Sequence, residues 1–279
     1  MILAVDIGGT KLLAGAVDGD GTVVDRHRSL TPASADADAL WSALESLLER
    51  VNGSFEGIGV GCGGPMSRDG ELVSPLNIPG WRDFPLRRRL SEWSGLPVEV
   101  DNDAKALAVG EWWRGALRGR QSVMAMVVST GVGGGLVLDG RLVDGAFGQA
   151  GHIGHVIVEP KGRPCACGAQ GCLEAEISGP ALEDKAGTPP PFPPAVLAEA
   201  GRLLGRGLAS AAALCDLEAV AVGGGVTEGA GDALLGPARA EVERSFRIFG
   251  RGLDIVPTAA GPLVGAAGVF LMRRGGLGP

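Results

Sequence analysis

The sequence predicts an α/β fold of two related lobes. Three observations carry this: apolar strand-length runs that end in glycine-rich turns, the return of one such hairpin design about 120 residues later, and amphipathic helical stripes between the runs.

In the first hairpin, Ile2-Leu3-Ala4-Val5 ends in Asp6, the turn passes through Ile7-Gly8-Gly9-Thr10-Lys11, and Leu12 to Val17 returns toward Asp18-Gly19. The amides of Gly8, Gly9 and Thr10 can face an anion with no side chain in the way, and Thr10 adds a hydroxyl. Asp6 ends the strand, where a carboxylate can hold Mg²⁺ beside a polyphosphate. The same residues also suit an ordinary hairpin with a polar turn. Leu40, Leu44, Leu47, Leu48 and Val51 make a helical stripe. Gly57 to Gly61 reads as a buried strand running into Cys62-Gly63-Gly64-Pro65. Ser74 to Trp81 is a proline and glycine loop with one amide, Asn77, and one indole; it either holds a polyhydroxylated ligand or merely connects. The basic run Arg87-Arg88-Arg89 reads as a solvated helix face.

Leu96 to Val100 is a strand that leads into Asp101-Asn102-Asp103-Ala104 and a helix through Trp113. Asp and Asn at a helix start most often cap it, while the end of a buried strand is also where open α/β sheets place catalytic groups. Val123 to Val128 then runs into Ser129-Thr130-Gly131-Val132-Gly133-Gly134-Gly135 and resumes at Leu136. This repeats the first hairpin and suggests two lobes with a nucleotide between them. After a helix start at Ser178-Gly179-Pro180, Thr188 to Pro194 (TPPPFPP) reads as a rigid extended linker. A helix follows over Ala195 to Leu214. Ala219 to Val222 enters Gly223-Gly224-Gly225, a turn suited to packing against a base or ribose. Phe246 to Val256 supplies a helix end and a strand, Gly265 to Met272 a last apolar helix, and Gly275 to Pro279 a frayed tail.

Metal-capable side chains concentrate between Gly151 and Glu174. His155, Cys165, Cys167 and Cys172 follow the spacing H-x9-C-x-C-x4-C, and one imidazole with three thiolates is a closed tetrahedral set for structural Zn²⁺. Gly168 and Gly171 let the loop turn tightly. Inert buried cysteines are the alternative; a disulfide fits three thiols poorly. Ordering this loop also orders His152 and Glu174.

The chain has 279 residues, 45% of them hydrophobic, enough for a large core. No apolar run reaches the length needed to span a membrane, and Met1 leads straight into a strand without a signal peptide, so a cytoplasmic protein is expected. A net charge of −7 and pI near 5.1 argue against a nucleic-acid surface.

Taken in order, Asp6 to Lys11 (DIGGTK), Asn102-Asp103-Ala104, Ser129 to Gly135 (STGVGGG), Gly154-His155 and Cys165-x-Cys167-Gly-x-x-Gly171-Cys172-x-Glu174 resemble the ROK sugar kinases. The resemblance covers nearly the whole chain. It implies the two-lobed actin-like ATPase (ribonuclease H-like) fold with a structural zinc loop: a smaller α/β lobe over 1–104, joined by a C-terminal helix at about 263–279, and a larger one over 105–262. It also implies a homodimer, with sugar and ATP bound between the lobes and no nucleic acid or membrane partner. Asp103 would be the general base on the 6-hydroxyl, and Gly64, Asn77, Asn102, His152, His155 and Glu174 would contact the sugar. Asp6, Gly8, Gly9, Thr10, Lys11, Thr130, Gly131, Gly133, Gly223 and Gly224 would hold Mg²⁺-ATP.

Two departures stand out. Glucokinases of the family typically carry Glu where this chain has His152, and the form Ala150-Gly-His-Ile-Gly-His155 looks like bacterial N-acetylmannosamine kinases. N-acetylmannosamine is therefore the first expected substrate, with glucose next. The chain is also shorter than typical relatives between Ser178 and Gly223, which suggests a missing helix. A sugar-responsive repressor of the same fold would usually carry a DNA-binding segment ahead of the Asp6 motif, and a dead sugar-binding protein would have no need of Asp103.

Overall fold

The computed structural model describes residues 1–34, 36–247 and 252–277. The chain forms two compact units, one from Met1–Arg118, Arg141–Ala150 and the segment starting at Ala259, the other from Gly119–Gly140 and Gly151–Thr258.

In the first unit, β1 (Ile2–Ile7) and β2 (Lys11–Val17) form the antiparallel hairpin that the glycine turn predicts, with Ile7 opposite Leu12. β3 (Val23–Leu30) extends it, and β4 (Gly57–Cys62) and β5 (Val98–Asn102) add on parallel to β1, giving the order β3-β2-β1-β4-β5. β3 carries no strong apolar signal because it is an edge strand with little burial.

β4 decides how this unit is layered. Ile58, Val60 and Cys62 join the core cluster that contains Leu40, Leu44 and Leu47 of α1 (Ala37–Leu48), whose N-cap Asp36 accepts the Asp38 amide at 3.0 Å. The intervening glycines serve the other face. A Cβ on Gly57 would lie 2.2 Å from the Phe270 ring, and one on Gly59 would lie 2.0 Å from the Ala266 carbonyl oxygen. Both partners belong to α9 (Pro262–Arg273), which thereby packs against the strand backbone. α3 (Asp103–Arg114) meets α9 in the same way, since a Cβ on Gly265 would sit 2.4 Å from the Ala106 carbonyl oxygen. Buried Glu111 on α3 accepts the amides of Ala259 at 2.8 Å and Ala260 at 2.7 Å, tying α3 to the segment that begins α9.

The second unit repeats this arrangement. β6 (Val123–Val128) and β7 (Val132–Leu138) are antiparallel, and β9 (Ala219–Gly223) and β10 (Asp254–Pro257) run parallel to β6 in the order β10-β9-β6-β7. The short β8 (Arg141–Leu142), which follows the Asp139-Gly140 turn, lies in a segment that groups with the first unit and not with the second. Helices α4 (Leu173–Ile177), α5 (Gly179–Ala186), α6 (Pro194–Cys215), α7 (Gly225–Ala230) and α8 (Asp232–Ser245) complete it. α6 and α8 also meet through glycine: a Cβ on Gly201 would lie 2.3 Å from the Leu234 carbonyl oxygen, and one on Gly205 would lie 2.6 Å from that of Ala238.

Several expectations are revised. The division after residue 104 falls inside α3, which stays with the first unit because its glycine contact is with α9. The segment Arg141–Ala150 also groups with that unit. The basic run lies on α2 (Leu86–Ser94) but only Arg88 is well exposed; Arg87 Nε donates to the Val98 carbonyl at 3.0 Å and Arg89 pairs with Asp38 at 2.9 Å. Of the expected helix end and strand over 246–256, residues 248–251 lie outside the described residues, as do 278 and 279 of the expected tail. No described helix is long and apolar enough to cross a membrane.

Gly59→Ala should place a methyl group against the α9 backbone. The expected loss is about 3 kcal/mol of unfolding free energy, read as a lower urea midpoint with an unchanged slope.

Candidate active site

The first unit gathers the phosphate-type turn and the aspartate of the Asn102-Asp103 motif around the C-terminal ends of β1, β4 and β5. A Cβ built on Gly61 would lie 3.8 Å from Asp6 Oδ1 and 3.7 Å from Asp103 Cα, so the two acidic residues flank one glycine. Asp6 is pushed up to about 6, first by burial and then by the nearby Asp103 charge, with Lys11 pulling the other way. Burial also raises Asp103, against the lowering effect of the Ala104 amide that its Oδ1 accepts at 2.8 Å. The surface of Asp103 is nonetheless open to solvent. Its raised value thus belongs to a carboxylate with one face in water, and that open face limits the rise. Burial, then Asp103 and Asp6, drives the Cys62 thiol well up, which keeps it neutral at the end of β4.

Asn102 is the N-cap of α3, its Oδ1 accepting the Ala104 amide at 3.0 Å. The capping reading of Asn102 holds, and that bond uses only the side-chain oxygen, leaving the amide nitrogen outside the cap. The Asn102 amide nitrogen faces Gly64, whose built Cβ would lie 3.6 Å away. The Gly64 carbonyl accepts the Leu76 amide at 3.1 Å, which draws the loop carrying exposed Asn77 alongside. Asn77 in turn presses on the turn: a Cβ on Gly9 would come 2.5 Å from Asn77 Cβ. Gly8 donates to the Lys11 carbonyl at 3.0 Å, while Thr10 and Lys11 are exposed. The indole of Trp81 is no ligand platform. It is 1% exposed, stacks on Phe84 at 4.3 Å and donates to the Ala37 carbonyl at 3.3 Å, so it belongs to the core.

In the second unit the four metal-type residues converge. Their ligand atoms all lie within 4.8 Å of one another, with His155 Nδ1 3.8 Å from Cys165 Sγ and Cys167 Sγ 3.6 Å from Cys172 Sγ. A tetrahedral ion with bonds of about 2.3 Å to sulfur spaces its sulfurs by roughly 3.8 Å, so the set fits Zn²⁺. Without a cation, Cys172 is pushed up to about 12 by burial and the thiols beside it, and a dication would reverse that repulsion. The loop is held by its own backbone: Cys165 donates to Ala169, Gly168 to Cys165, and Gly171 to Arg163, at 2.8–2.9 Å. Gly171 has φ +74°, and a Cβ there would fall 1.6 Å from the Glu159 carbonyl oxygen, so only glycine fits.

Glu174 links this loop to the second glycine turn, its Oε2 accepting the Val132 amide at 2.8 Å and facing Gly131. His152 and His155 bring their rings to a centroid distance of 6.1 Å. Gly133 pairs with Val127 inside the sheet, and Gly224, at φ +95°, packs on the Val128 carbonyl where β9 turns into α7.

Beside the turn lies a cavity of about 790 Å³, wholly within this unit. Ser129, Thr130 and Glu183 supply its polar wall, Pro191, Phe192 and Val226 much of its apolar one. The TPPPFPP segment is thus more than a linker, because its rings line a ligand-sized hollow. Gly223 faces elsewhere, toward Thr258 and a smaller hollow of about 320 Å³. Sequence reasoning also missed Glu176, a buried acid that accepts the Arg163 amide and the Lys185 ammonium at 2.6 Å each and so anchors the start of the cysteine loop. Nothing in its local sequence distinguishes it from a solvated acid.

The family model described as "ROK family" matches residues 2–274. Over 305 residues the chain is 33% identical to a glucokinase from Streptomyces coelicolor, covering 96% of this chain and 95% of that one. Over 179 residues it is 44% identical to an N-acetylmannosamine kinase from Citrobacter koseri, covering 63% of this chain and 61% of that one. The crystal structure of a ROK family glucokinase from Streptomyces griseus in complex with glucose and AMPPNP superposes with a TM-score of 0.80 at 30% identity, over 98% of this chain and 99% of that one. Matched from its first strand into its last helix, and in both fold and sequence, the chain belongs to the ROK family and is a sugar kinase, a phosphotransferase.

Proposed function

We propose that this kinase transfers the γ-phosphate of ATP to the 6-hydroxyl of N-acetylmannosamine, with Asp103 as general base. The observation that carries the sugar assignment is His152. Where the family's glucokinases place a carboxylate that accepts from two hydroxyls, a neutral imidazole offers one acceptor and one donor, and a donor suits an N-acetyl carbonyl. The 44% identity to an N-acetylmannosamine kinase supports the same choice. Glucose is the second reading, favoured by the longer match to a glucokinase.

Asp103 accepts the hydroxyl proton as oxygen attacks phosphorus, an effect typically worth about 10²–10⁴-fold. Asn102, Asn77 and the Gly64 backbone orient neighbouring hydroxyls. Glu174 Oε1 and the His155 Nε2 edge remain for the sugar, because Oε2 is committed to Val132 and Nδ1 faces the thiols. The 790 Å³ cavity suits adenosine, with Thr130 and Gly131 beside the phosphates. Asp6, crowded by burial and by Asp103, is a fitting holder for Mg²⁺, which supplies charge neutralisation when bound. Gly8, Gly9, Thr10 and Lys11 offer donors to the phosphates.

ADP release with Mg-ATP across N-acetylmannosamine, glucose, mannose, fructose and N-acetylglucosamine should be fastest with the first. No turnover on any of them would overturn both acceptor assignments, and a preference for glucose would leave only the second. His152→Glu should move kcat/KM toward glucose by about tenfold, read on the same panel.

Asp103→Asn should lower kcat by at least about 10²-fold while calorimetric sugar binding stays nearly intact. In the native enzyme, burial raises the Asp103 pKa, and activity needs the carboxylate. Activity should therefore be full above that value and fall as pH drops through it, placing the acid limb of kcat/KM above the ordinary aspartate range of about 3.9.

Zinc is expected at one ion per chain by elemental analysis. Cys167→Ser should remove it, lower the melting temperature and weaken sugar binding by about tenfold or more; unchanged affinity in the metal-free protein would contradict the role given to the loop.

A further inference from the structure

We propose that Lys105, held between Asp101 and Asp144 together with Arg273, is a positioning residue that sets the Asn102-Asp103 corner for phosphoryl transfer. This rests on Asp103 being the base. The four charges lie in the first unit and come from three places in the chain: the β5 end with the first turn of α3, the segment Arg141–Ala150, and the last turn of α9.

Lys105 is 1% exposed, and its Nζ lies 2.9 Å from Asp101 Oδ1 and 2.5 Å from Asp144 Oδ1. Asp101, 4% exposed, also accepts from Arg273, and its Oδ1 accepts the Asn102 amide at 2.8 Å. Arg273 Nη2 reaches Asp144 Oδ1 at 2.8 Å. Two cations and two carboxylates balance, and this balance lets ions sit in the interior.

The direct link to the proposed chemistry is the bond from Asp101 to the backbone of Asn102. That carboxylate holds the Asp101–Asn102 peptide, one peptide ahead of the bond that joins Asn102 to Asp103, and Lys105 with Arg273 holds the carboxylate. A shared surface role for Lys105 is excluded by its burial. The same cluster reaches the segment ahead of His152: Asp144 is bound through both carboxylate oxygens, and its carbonyl accepts the Ala150 amide at 3.0 Å. Burial pushes the Asp144 carboxyl up, but the bonds from Arg273 and Lys105 outweigh it and hold it below the usual value, so it stays charged.

The test uses the full-length metal-loaded enzyme. Lys105→Met should lower kcat by about 10–100-fold, the effect of a base displaced by a fraction of an ångström to one ångström, with KM for sugar and ATP changed less than about twofold. Adding Asp144→Asn to Lys105→Met restores charge balance and should recover at least about half of that loss on a logarithmic scale. Wild-type kcat in folded Lys105→Met would overturn the proposal. So would a parallel decline of kcat and both KM values with no recovery in the double variant, which marks plain structural support. Should Lys105→Met not fold, Asp144→Asn alone, at a half-buried member, should lower kcat by about 3–10-fold with KM unchanged, and no change in kcat there overturns the proposal. Asp103→Asn is run beside these: turnover retained in it sinks the base assignment, whereas an inactive Asp103→Asn beside a normal Lys105→Met sinks only the cluster.

Discussion

The first unit depends on one close approach, that of α9 to the bare backbone of β4. Gly57, Gly59 and Gly61 leave one face of that strand without side chains, and at the first two the helix settles at a distance that a methyl group would forbid. α3 then packs on α9 through Gly265, and α3 is the helix that begins with Asp103. The carboxylate proposed to act on the sugar is thus located by contacts in which glycine, rather than a large apolar residue, is the decisive choice. Tight backbone packing of this kind has few alternative registers, which suits a group that must be placed to within a fraction of an ångström.

The second unit reaches comparable rigidity by other means. The cysteine loop is too short to own a hydrophobic core, and its order comes from backbone bonds, from the buried Glu176 that anchors Arg163, and from the Cys₃His set. The thiols by themselves repel as thiolates, so the loop is built around a charge that a metal would supply. Gly171 fits only because it has no side chain.

Much of this was legible in the sequence where the signal is local. The metal-type quartet sits within a short stretch and follows ligand spacing, and both glycine hairpins announce themselves by apolar runs on either side. Burial was harder to read. Trp81 in a polar loop looks like a ligand platform until Phe84 and the Ala37 carbonyl claim both its face and its N–H. Lys105 and Glu176 look like solvated charges: Asp101, four residues before Lys105, fits an ordinary exposed helix pair, whereas Asp144, 39 residues on, and Lys185, 9 residues beyond Glu176, complete the buried sets. The proline run at 188–194 reads as a spacer because rigidity is a local property, whereas lining a cavity requires α5 and α7 to be placed opposite it. β3 escaped notice since an edge strand has no need of apolar alternation.

The hydrogen bond from the Val132 amide to Glu174 has a wider meaning. It fastens a residue two places beyond the last cysteine to the turn that borders the adenosine-sized hollow. On the proposed assignment of Glu174 to the sugar and of the hollow to adenosine, metal occupancy, acceptor affinity and donor affinity would be thermodynamically linked, and linkage is reciprocal. With the proposed sugar and nucleotide contacts, an ion whose binding raised the affinity for a substrate by some factor would itself be bound more tightly by the same factor when that substrate is present, so that the saturated enzyme would resist chelation better than the empty one.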